Sequence, residues 1–467
     1  MQIVLVNTNL VKPPIAPIGL EYVAEAVHAS GHSLRVLDLC WEKDVEKAVE
    51  AFFSREDADI VGITFRNTDD CAFASRVSFL STFTKMVGCI RNHTNGLIVL
   101  GGVGFSVMPE EVLEITGADA GIWGEGEFAF PELANRISEK KEWMDIQNLI
   151  WKRDGEWTRN AVQYGDLRSL PVMQRRWIDN ARYFHEGGQA GFETKRGCPG
   201  QCTYCADPIA KGRKTRLRSP GAVTREIKYL LDQGIDALHT CDSEFNIPEM
   251  HALEVCDAMI QRGFGEKLQW YAYCAPVPFS RRLAVQMKKA GCAGINFGVD
   301  HGDPEMLKRL KRFYEPEDIL DAAQWCHDAG ITVMFDLLIG SPSETRRSIQ
   351  KTIELMKESR AERVGIALGI RIYPGTEMAE KLLNSESSRG LIGGKDPALP
   401  LFYLEPAIAS EVSGWLEDMT GGDSRFLFFN PMQAGQNYNY NANQVLVDAI
   451  RDGHRGAYWD ILRKIKT

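Results

Sequence analysis

Three cysteines, Cys198, Cys202 and Cys205, fall within eight residues of the stretch ETKRGCPGQCTYCADP. Thiolates are soft ligands that suit zinc or iron–sulfur clusters. No second Cys-x-x-Cys pair and no His-x3-His pair lies nearby to close a tetrahedral zinc shell. Three thiolates suit three irons of a [4Fe–4S] cluster and leave the fourth iron open to another ligand. A noncatalytic zinc or iron–sulfur binding module is the reading of a different class.

The chain of 467 residues is long enough for two or three cores that could position such a site. Its first 140 residues alternate strand-like runs (MQIVLVN, SLRVLDL, ADIVGITF, GLIVLGG, DAGIWGEGE) with helical segments, among them IGLEYVAEAVHASG, 72–92 and 109–116. That order predicts a doubly wound α/β domain, whose parallel sheet binds ligands beyond its strand C-termini. The loops expected there are Asn7-Thr8-Asn9, Thr64 to Asn67 with Arg66, Gly101-Gly102 to Gly104-Phe105-Ser106, and Gly124-Glu125-Gly126-Glu127. Glycines let a backbone approach a bulky ligand, and the Ser, Thr and Asn groups can bond its rim. Residues 141–190 are less periodic and read as a linker with a hairpin signal at Asp154-Gly155.

The segments APIGLEYVAEAVHASGHSLRVLDL and VLGGVGFSVMPEEVLEITGADAGIWGEGE resemble, over roughly residues 1–135, the cobalamin-binding domain of many radical S-adenosylmethionine (SAM) enzymes. The Cys-x3-Cys-x2-Cys cluster after GFETKRG resembles the radical SAM signature, and the likeness continues to about residue 385 through ALHTCDSEFNIP, LQWYAYCAP, CAGINFGVDHGDPEMLKRLKR, VMFDLLIGSPSET and VGIALGIRIYPGTEMAEKL. Together they resemble the cobalamin-dependent radical SAM methyltransferases. The resemblance implies a Rossmann-like cobalamin domain (1–140), the linker (141–190), a partial (βα)6 radical SAM barrel (191–395) and a small α-rich C-terminal lid region (396–467). Asn7, Gly19, Thr64, Arg66, Asn67, Gly101, Gly102, Gly104, Phe105, Ser106, Gly124, Glu125 and Gly126 would meet cobalamin. Tyr204, Asp242, Glu244, Tyr271, Asp300 and Arg371 would surround SAM and the cluster, with Glu244 receiving the SAM amino group and Tyr273 in a catalytic position. No Asp-x-His-x-x-Gly motif is present, so cobalamin would be base-off with no histidine on cobalt, and Arg66 would lie beneath the metal.

The implied chemistry is methylation of an unactivated carbon through a substrate radical. One SAM would recharge cobalamin, while a second, at the cluster, would yield a 5′-deoxyadenosyl radical. A radical dehydratase or cyclase with a scaffold-only cobalamin domain is the alternative enzyme. The acceptor would be a small molecule or a peptide or protein side chain, such as glutamine of methyl-coenzyme M reductase, and an external donor such as ferredoxin or flavodoxin would supply electrons. A net charge of −9 does not favour nucleic acid or an anionic membrane surface. The N-terminus lacks a signal-peptide layout, no run reaches the ~20 apolar residues of a membrane span, and eleven scattered cysteines suit a reducing compartment. These features predict a cytoplasmic protein. Most remaining cysteines, including Cys256, Cys292 and Cys326, read as core residues. His301 reads as a loop residue. The aromatic and amide-rich FLFFNPMQAGQNYNYNANQ could cap the barrel, followed by one amphipathic helix, QVLVDAIRDGHRGAYWDILRKIK.

Overall fold

The computed structural model describes residues 1–384, 389–394, 399–428 and 443–465. Five apolar runs form parallel strands: β1 (Gln2–Asn7), β2 (Ser33–Asp38), β3 (Ile60–Thr64), β4 (Leu97–Gly101) and β5 (Ala120–Ile122). They lie in the order β2-β1-β3-β4-β5. Alternate residues feed two separate cores, Val4, Val6, Val61 and Ile63 on one face and Ile3, Leu5, Ile60 and Val99 on the other. Asn7 pairs with Thr64 and Thr64 with Gly101, so three of the loop-bearing strand ends share one edge of the sheet.

The hairpin signal is realised as β6 (Leu149–Arg153) and β7 (Glu156–Arg159), and β6 adds antiparallel to β5. Asp154 and Gly155 both have positive φ, 51° and 89°, the geometry a tight two-residue hairpin requires. The helix expected over 72–92 begins only at Leu80. Residues before it form a loop gathered by Asp70, which accepts from the amides of Ala72 and Val77 and from Ser75 Oγ.

The second sheet begins with β8 (Ala190–Phe192), followed by a short ribbon of β9 (Lys195–Arg196) and β10 (Arg216–Leu217). It continues through β11 (Ala237–Thr240), β12 (Gln269–Cys274), β13 (Cys292–Asp300), β14 (Thr332–Ile339) and β15 (Arg363–Leu368). These six main strands are parallel and adjacent in chain order, the open barrel expected from sequence. A small sheet of β16 (Ile370–Arg371), β17 (Leu391–Ile392) and β18 (Phe402–Tyr403) follows, and β19 (Phe426–Phe428) adds a seventh parallel strand beside β15. Phe297, Val299, Phe335, Leu337, Val364 and Ile366 face the surrounding helices in the main core. Their alternates Asn296, Met334 and Asp336, with Tyr271 and Tyr273, line the concave side.

The expected single C-terminal helix is two, Gln444–Arg451 and Tyr458–Lys464. They are separated at Gly453 and Gly456, whose φ values of 98° and 120° no helix contains. The second helix plugs the barrel: Trp459 and Ala457 pack on Tyr271 and Met334, and Asp460 accepts a 2.6 Å hydrogen bond from Tyr271 Oη. Residues 429–442, most of the amide-rich stretch, lie outside the described residues.

A buried charge network joins the two sheets. Arg175 pairs with Glu21 at 2.7 Å and Glu226 at 3.1 Å, and Arg218 pairs with Glu226 at 2.6 Å while donating to Tyr22 Oη at 2.9 Å. Arg175, Glu21 and Glu226 are at most 1% exposed at their side chains, so each needs its partners; an unpaired charge there would cost about 3–5 kcal/mol. Among the described residues no helix is long and apolar enough to cross a membrane.

Candidate active site

A cavity of about 250 Å³ opens above the C-terminal edge of the first sheet. Asn7, Gly19, Thr64, Arg66, Gly101, Gly102, Gly124, Glu125 and Gly126, nine of the residues expected to meet cobalamin, line it. Asn7 is fixed by donating to Asp38 and Tyr183 at 2.8 and 2.9 Å. Gly102 has φ 100°, and a Cβ there would fall 2.6 Å from the carbonyl oxygen of Phe65, so only glycine fits. A Cβ on Gly19 would meet nothing within 4 Å, and one on Gly101 would meet only Ile122 O at 3.8 Å. These two positions are a cradle left open. Nη1 of Arg66 is buried without a hydrogen-bond partner among the described residues, beside the same space.

The other predicted residues of this domain support the cradle from behind. Ser106 Oγ donates to Gly102 O and accepts from Gly124 N, both at 2.9 Å, tying two of the loops together. Gly104 packs against the backbone of Phe65 and Asn67. Phe105 is a core residue under Gly121, a correction to its expected ligand contact: its ring leaves no room for a Cβ there and is itself fully buried.

The opposite wall comes from the segment around β9: Glu193, Arg196 and Lys211. Arg196 pairs with Glu127 at 2.6 Å, Glu193 at 2.8 Å and Glu125 at 3.4 Å, while Arg216 holds Glu125 at 2.6 Å. The cavity therefore abuts the loop that carries the three cysteines.

That loop is pinned on both sides. Cys198 N donates to Gly212 O at 3.0 Å, and Thr203 N donates to Leu310 O at 3.2 Å. A Cβ on Gly200 would lie 3.2 Å from Cys198 Sγ and 3.8 Å from Cys202 Sγ, so glycine keeps the space between two sulfurs clear. Burial pushes all three thiols up; at Cys202 the Arg312 guanidinium, 2.8 Å from Sγ, opposes the rise. Arg312 also pairs with Asp300 at 3.4 Å, and Tyr204 donates to Asp300 at 2.6 Å. Glu244 lies 4.0 Å from Arg312, and its Oε2 is buried without a partner among the described residues. Burial raises the Glu244 carboxyl to about 7 against the pull of Arg312 and Lys195. Among the described residues no three His, Cys, Asp or Glu side chains are grouped as ligands of a single metal ion.

Residues 4–134 match the B12 binding domain, and residues 192–356 match the Radical SAM superfamily. Tryptophan 2-C-methyltransferase of Streptomyces laurentii is 31% identical over 81% of this chain and 74% of its own. This chain belongs to the cobalamin-dependent radical SAM methyltransferases. Among solved structures, the radical SAM methyltransferase TsrM from Kitasatospora setae, with tryptophan substrate and a SAM analogue bound, is 28% identical with a TM-score of 0.92, covering 99% of this chain and 97% of that one. The same protein with cobalamin and a [4Fe–4S] cluster bound is 27% identical with a TM-score of 0.90, again covering 99% and 97%.

The cofactors of this methyltransferase are a [4Fe–4S] cluster, SAM and cobalamin. The residues present fit them: three thiols on a loop kept clear by glycine, an unsatisfied buried carboxylate oxygen within the same site, and an open glycine cradle next to an unsatisfied guanidinium nitrogen. Three other expectations change. Asp242 accepts from the amide and hydroxyl of Thr194 and the amide of Lys195, so it shapes the turn before the cysteine loop. Tyr271 belongs to the barrel floor, fully buried on Asp460. Arg371 grips the loop after β3: its Nε and Nη2 both lie 2.8 Å from Asp69 Oδ2. Nearby, Cys71 Sγ sits 3.2 Å from Tyr373 Oη, and Phe73 packs edge-on against Phe402. The loop that carries Arg66 is thus fastened to the barrel.

Tyr273 remains on the concave side, 40% exposed, with its ring centroid 4.9 Å from that of His239. Sequence reading missed Glu193, Arg196, Lys211 and Arg312. The available signal was the charge density of ETKRG and KRLKR next to the cysteine segment and a barrel strand, where charges must be paired or face a ligand.

Glu244 gives a pH-dependent stability difference. Its folded value, about 7, is raised from an ordinary 4.5, so the native state increasingly resists ionising it as pH climbs through that window. The penalty is absent below the window and constant above it, at about 3 kcal/mol by linkage. In metal-free protein, Glu244→Gln is expected to gain stability relative to the parent between pH 4.5 and 8, read by denaturant titration at each pH. A difference that stays flat over that range would refute the assignment.

Proposed function

We propose that this enzyme methylates a ring carbon of a free aromatic amino acid of the tryptophan type. The observation that supports the reading most directly is the shared cavity, walled by Arg66 and the glycine loops on one side and by Glu193, Arg196 and Lys211 from the cysteine-bearing segment on the other. The substrate class is carried over from full-length likeness to the tryptophan 2-C-methyltransferase and to the tryptophan-bound TsrM. Neither likeness supports a glutamine side chain of a protein as acceptor.

When bound, cobalamin supplies a methyl carrier, SAM a methyl donor, and the cluster one-electron chemistry. The chain's own residues position and isolate these groups. We assign Cys198, Cys202 and Cys205 to three irons, and Glu244 to the ammonium group of SAM, which would satisfy its unpartnered oxygen. Arg66, with Nη1 unpartnered among the described residues beside the cavity, would be one of the residues that face cobalamin. A guanidinium stays protonated and has no lone pair to offer a metal, so it would not itself act as a ligand. The aromatic pair Tyr273 and His239 forms a wall for a planar substrate on the concave side of the barrel. Among the described residues the eleven cysteines form no disulfide, which fits a reducing compartment, and we place the enzyme in the cytoplasm.

The test is anaerobic turnover of reconstituted protein with methyl-labelled SAM and L-tryptophan, with a glutamine-containing peptide in parallel. Labelled methyltryptophan with S-adenosylhomocysteine is the expected result. An indole carbon is electron-rich and can accept a methyl group directly; an unactivated aliphatic carbon must first lose hydrogen and would release 5′-deoxyadenosine in equal amount. Release of 5′-deoxyadenosine with no S-adenosylhomocysteine would identify a dehydratase or cyclase and overturn the reading.

A further inference from the structure

We propose that Nε2 of His239 accepts a hydrogen bond from a ring N–H of the substrate and so selects an aromatic amino acid that carries a donor in its ring; this rests on the tryptophan-type reading above. His239 lies on β11, in register with Gly191 on β8 to one side and Tyr271 on β12 to the other. Leu238 before it is buried in the main core, and His239 faces the concave side. There its ring centroid is 4.9 Å from that of Tyr273 and 6.4 Å from that of Tyr271, with the Tyr271 ring nearly parallel to it. A Cβ on Gly191 would lie 3.8 Å from Cδ1 of Ile18, which lines the cofactor cavity, so His239 stands one strand from that cavity's wall.

The surroundings decide which nitrogen of this imidazole carries the proton. Nδ1 lies 2.7 Å from Thr240 O. A carbonyl oxygen can only accept, so Nδ1 is the N–H, and in the neutral ring Nε2 is then an acceptor. Burial pushes the imidazole down to about 4, which keeps it neutral at physiological pH. Among the described residues nothing bonds Nε2. Asn296 repeats the pattern two strands away, in register with Tyr273. Its Nδ2 donates to Asp336 Oδ2 at 2.7 Å, and its Oδ1 is buried without a partner among the described residues. Both side chains thus commit their donor to the protein and leave an acceptor on the same face, on either side of an aromatic ring. The occupant must bring the donors. Tryptophan has a flat ring with an N–H and an α-ammonium; phenylalanine lacks the first. A ligand without the ring donor would leave His239 Nε2 dehydrated and unbonded, the arrangement by which sites reject isosteres most strongly.

The experiment measures binding, because any change to the ring also changes its reactivity. Reconstituted full-length parent and His239→Phe are dialysed to equilibrium with labelled L-tryptophan. The competitor is the benzothiophene analogue of tryptophan, which has sulfur where tryptophan has the ring N–H. Phenylalanine at 239 keeps a flat ring beside the two tyrosines and offers no acceptor. The parent is expected to bind tryptophan at least about tenfold more tightly than the analogue. In His239→Phe tryptophan should weaken by about that factor and the analogue should not, so the preference falls to near one. Unchanged cobalamin affinity shows that the variant is assembled, and His239→Ala takes its place where it is not. A parent without the preference, or an assembled variant that keeps it, would overturn the contact. A parent that binds neither tryptophan nor its analogue would instead refute the tryptophan-type reading on which the proposal stands.

Discussion

Replacing any one of Cys198, Cys202 and Cys205 with alanine is expected to abolish both the iron–sulfur cluster and all SAM-dependent turnover. Each thiolate has one iron to hold, and the acids beside the loop are already engaged: Asp207 by Lys211 and Ser243, and Asp300 by Tyr204 and Arg312. The loss should be of function and not of fold. The loop is secured by its backbone, through Cys198 N to Gly212 O and Thr203 N to Leu310 O, and those bonds survive the substitutions. Iron and sulfide content after anaerobic reconstitution, with denaturant unfolding of the metal-free proteins, checks both halves. Full iron content with normal turnover in any single variant would remove the basis of the assignment.

The second large effect is expected at Gly102. A valine there would have to adopt φ near 100°, and its Cβ would lie 2.6 Å from Phe65 O and 2.8 Å from Thr64 Oγ1. Backbone strain of this kind costs of the order of 1–3 kcal/mol before any clash is counted. The loop must therefore move, and with it Gly101, Ser106 and the hydrogen bond to Gly124. Gly102→Val is expected to weaken cobalamin binding by up to about 100-fold, the upper end of the effects seen when groups that support a metal site are disturbed. Gly117→Ala is the matched control: Gly117 also has positive φ, 67°, but its Cβ would point into open space at a helix end far from the cradle. It should lose stability and keep cobalamin affinity, measured by spectrophotometric titration. Equal affinity in Gly102→Val would show that the cavity is not the corrinoid site.

Much of this was legible in the sequence because local patterns carry it. Strands such as QIVLVN and VMFDLLI announce themselves by apolar runs, and the strand ends of a parallel α/β sheet must share an edge, so Asn7, Thr64 and Gly101 could be grouped before any coordinates. The spacing of the cysteines pointed to a soft metal centre, and the likeness of the segments around them to the radical SAM signature pointed to a [4Fe–4S] cluster. What could not be read were pairings across long separations. Arg371 looks like a free cation in its own segment, and only the fold brings Asp69 to it from 302 residues away. Tyr271 alternates correctly for a lumen residue; that a C-terminal helix fills the lumen beneath it depends on Gly453 and Gly456 turning the chain. Phe105 sits in a glycine loop whose neighbours face the ligand, but a short helix, Val103–Val107, turns its side chain into the core.

The buried network around Arg175 bears on how such enzymes can be recombined. Its members come from three stretches of chain: Glu21 and Tyr22 from the first helix, Arg175 from the segment before β8, Arg218 and Glu226 from the segment after β10. A chimaera spliced at residue 140 would take Glu21 from one parent and its arginine from the other; a splice at residue 190 would part Arg175 from Glu226. Any crossover between these points inherits half of a charge balance in a place water does not reach. Swapping substrate ranges within the family by exchanging whole modules therefore requires the five residues to travel as a set, or the breakpoint to fall where both parents already share them.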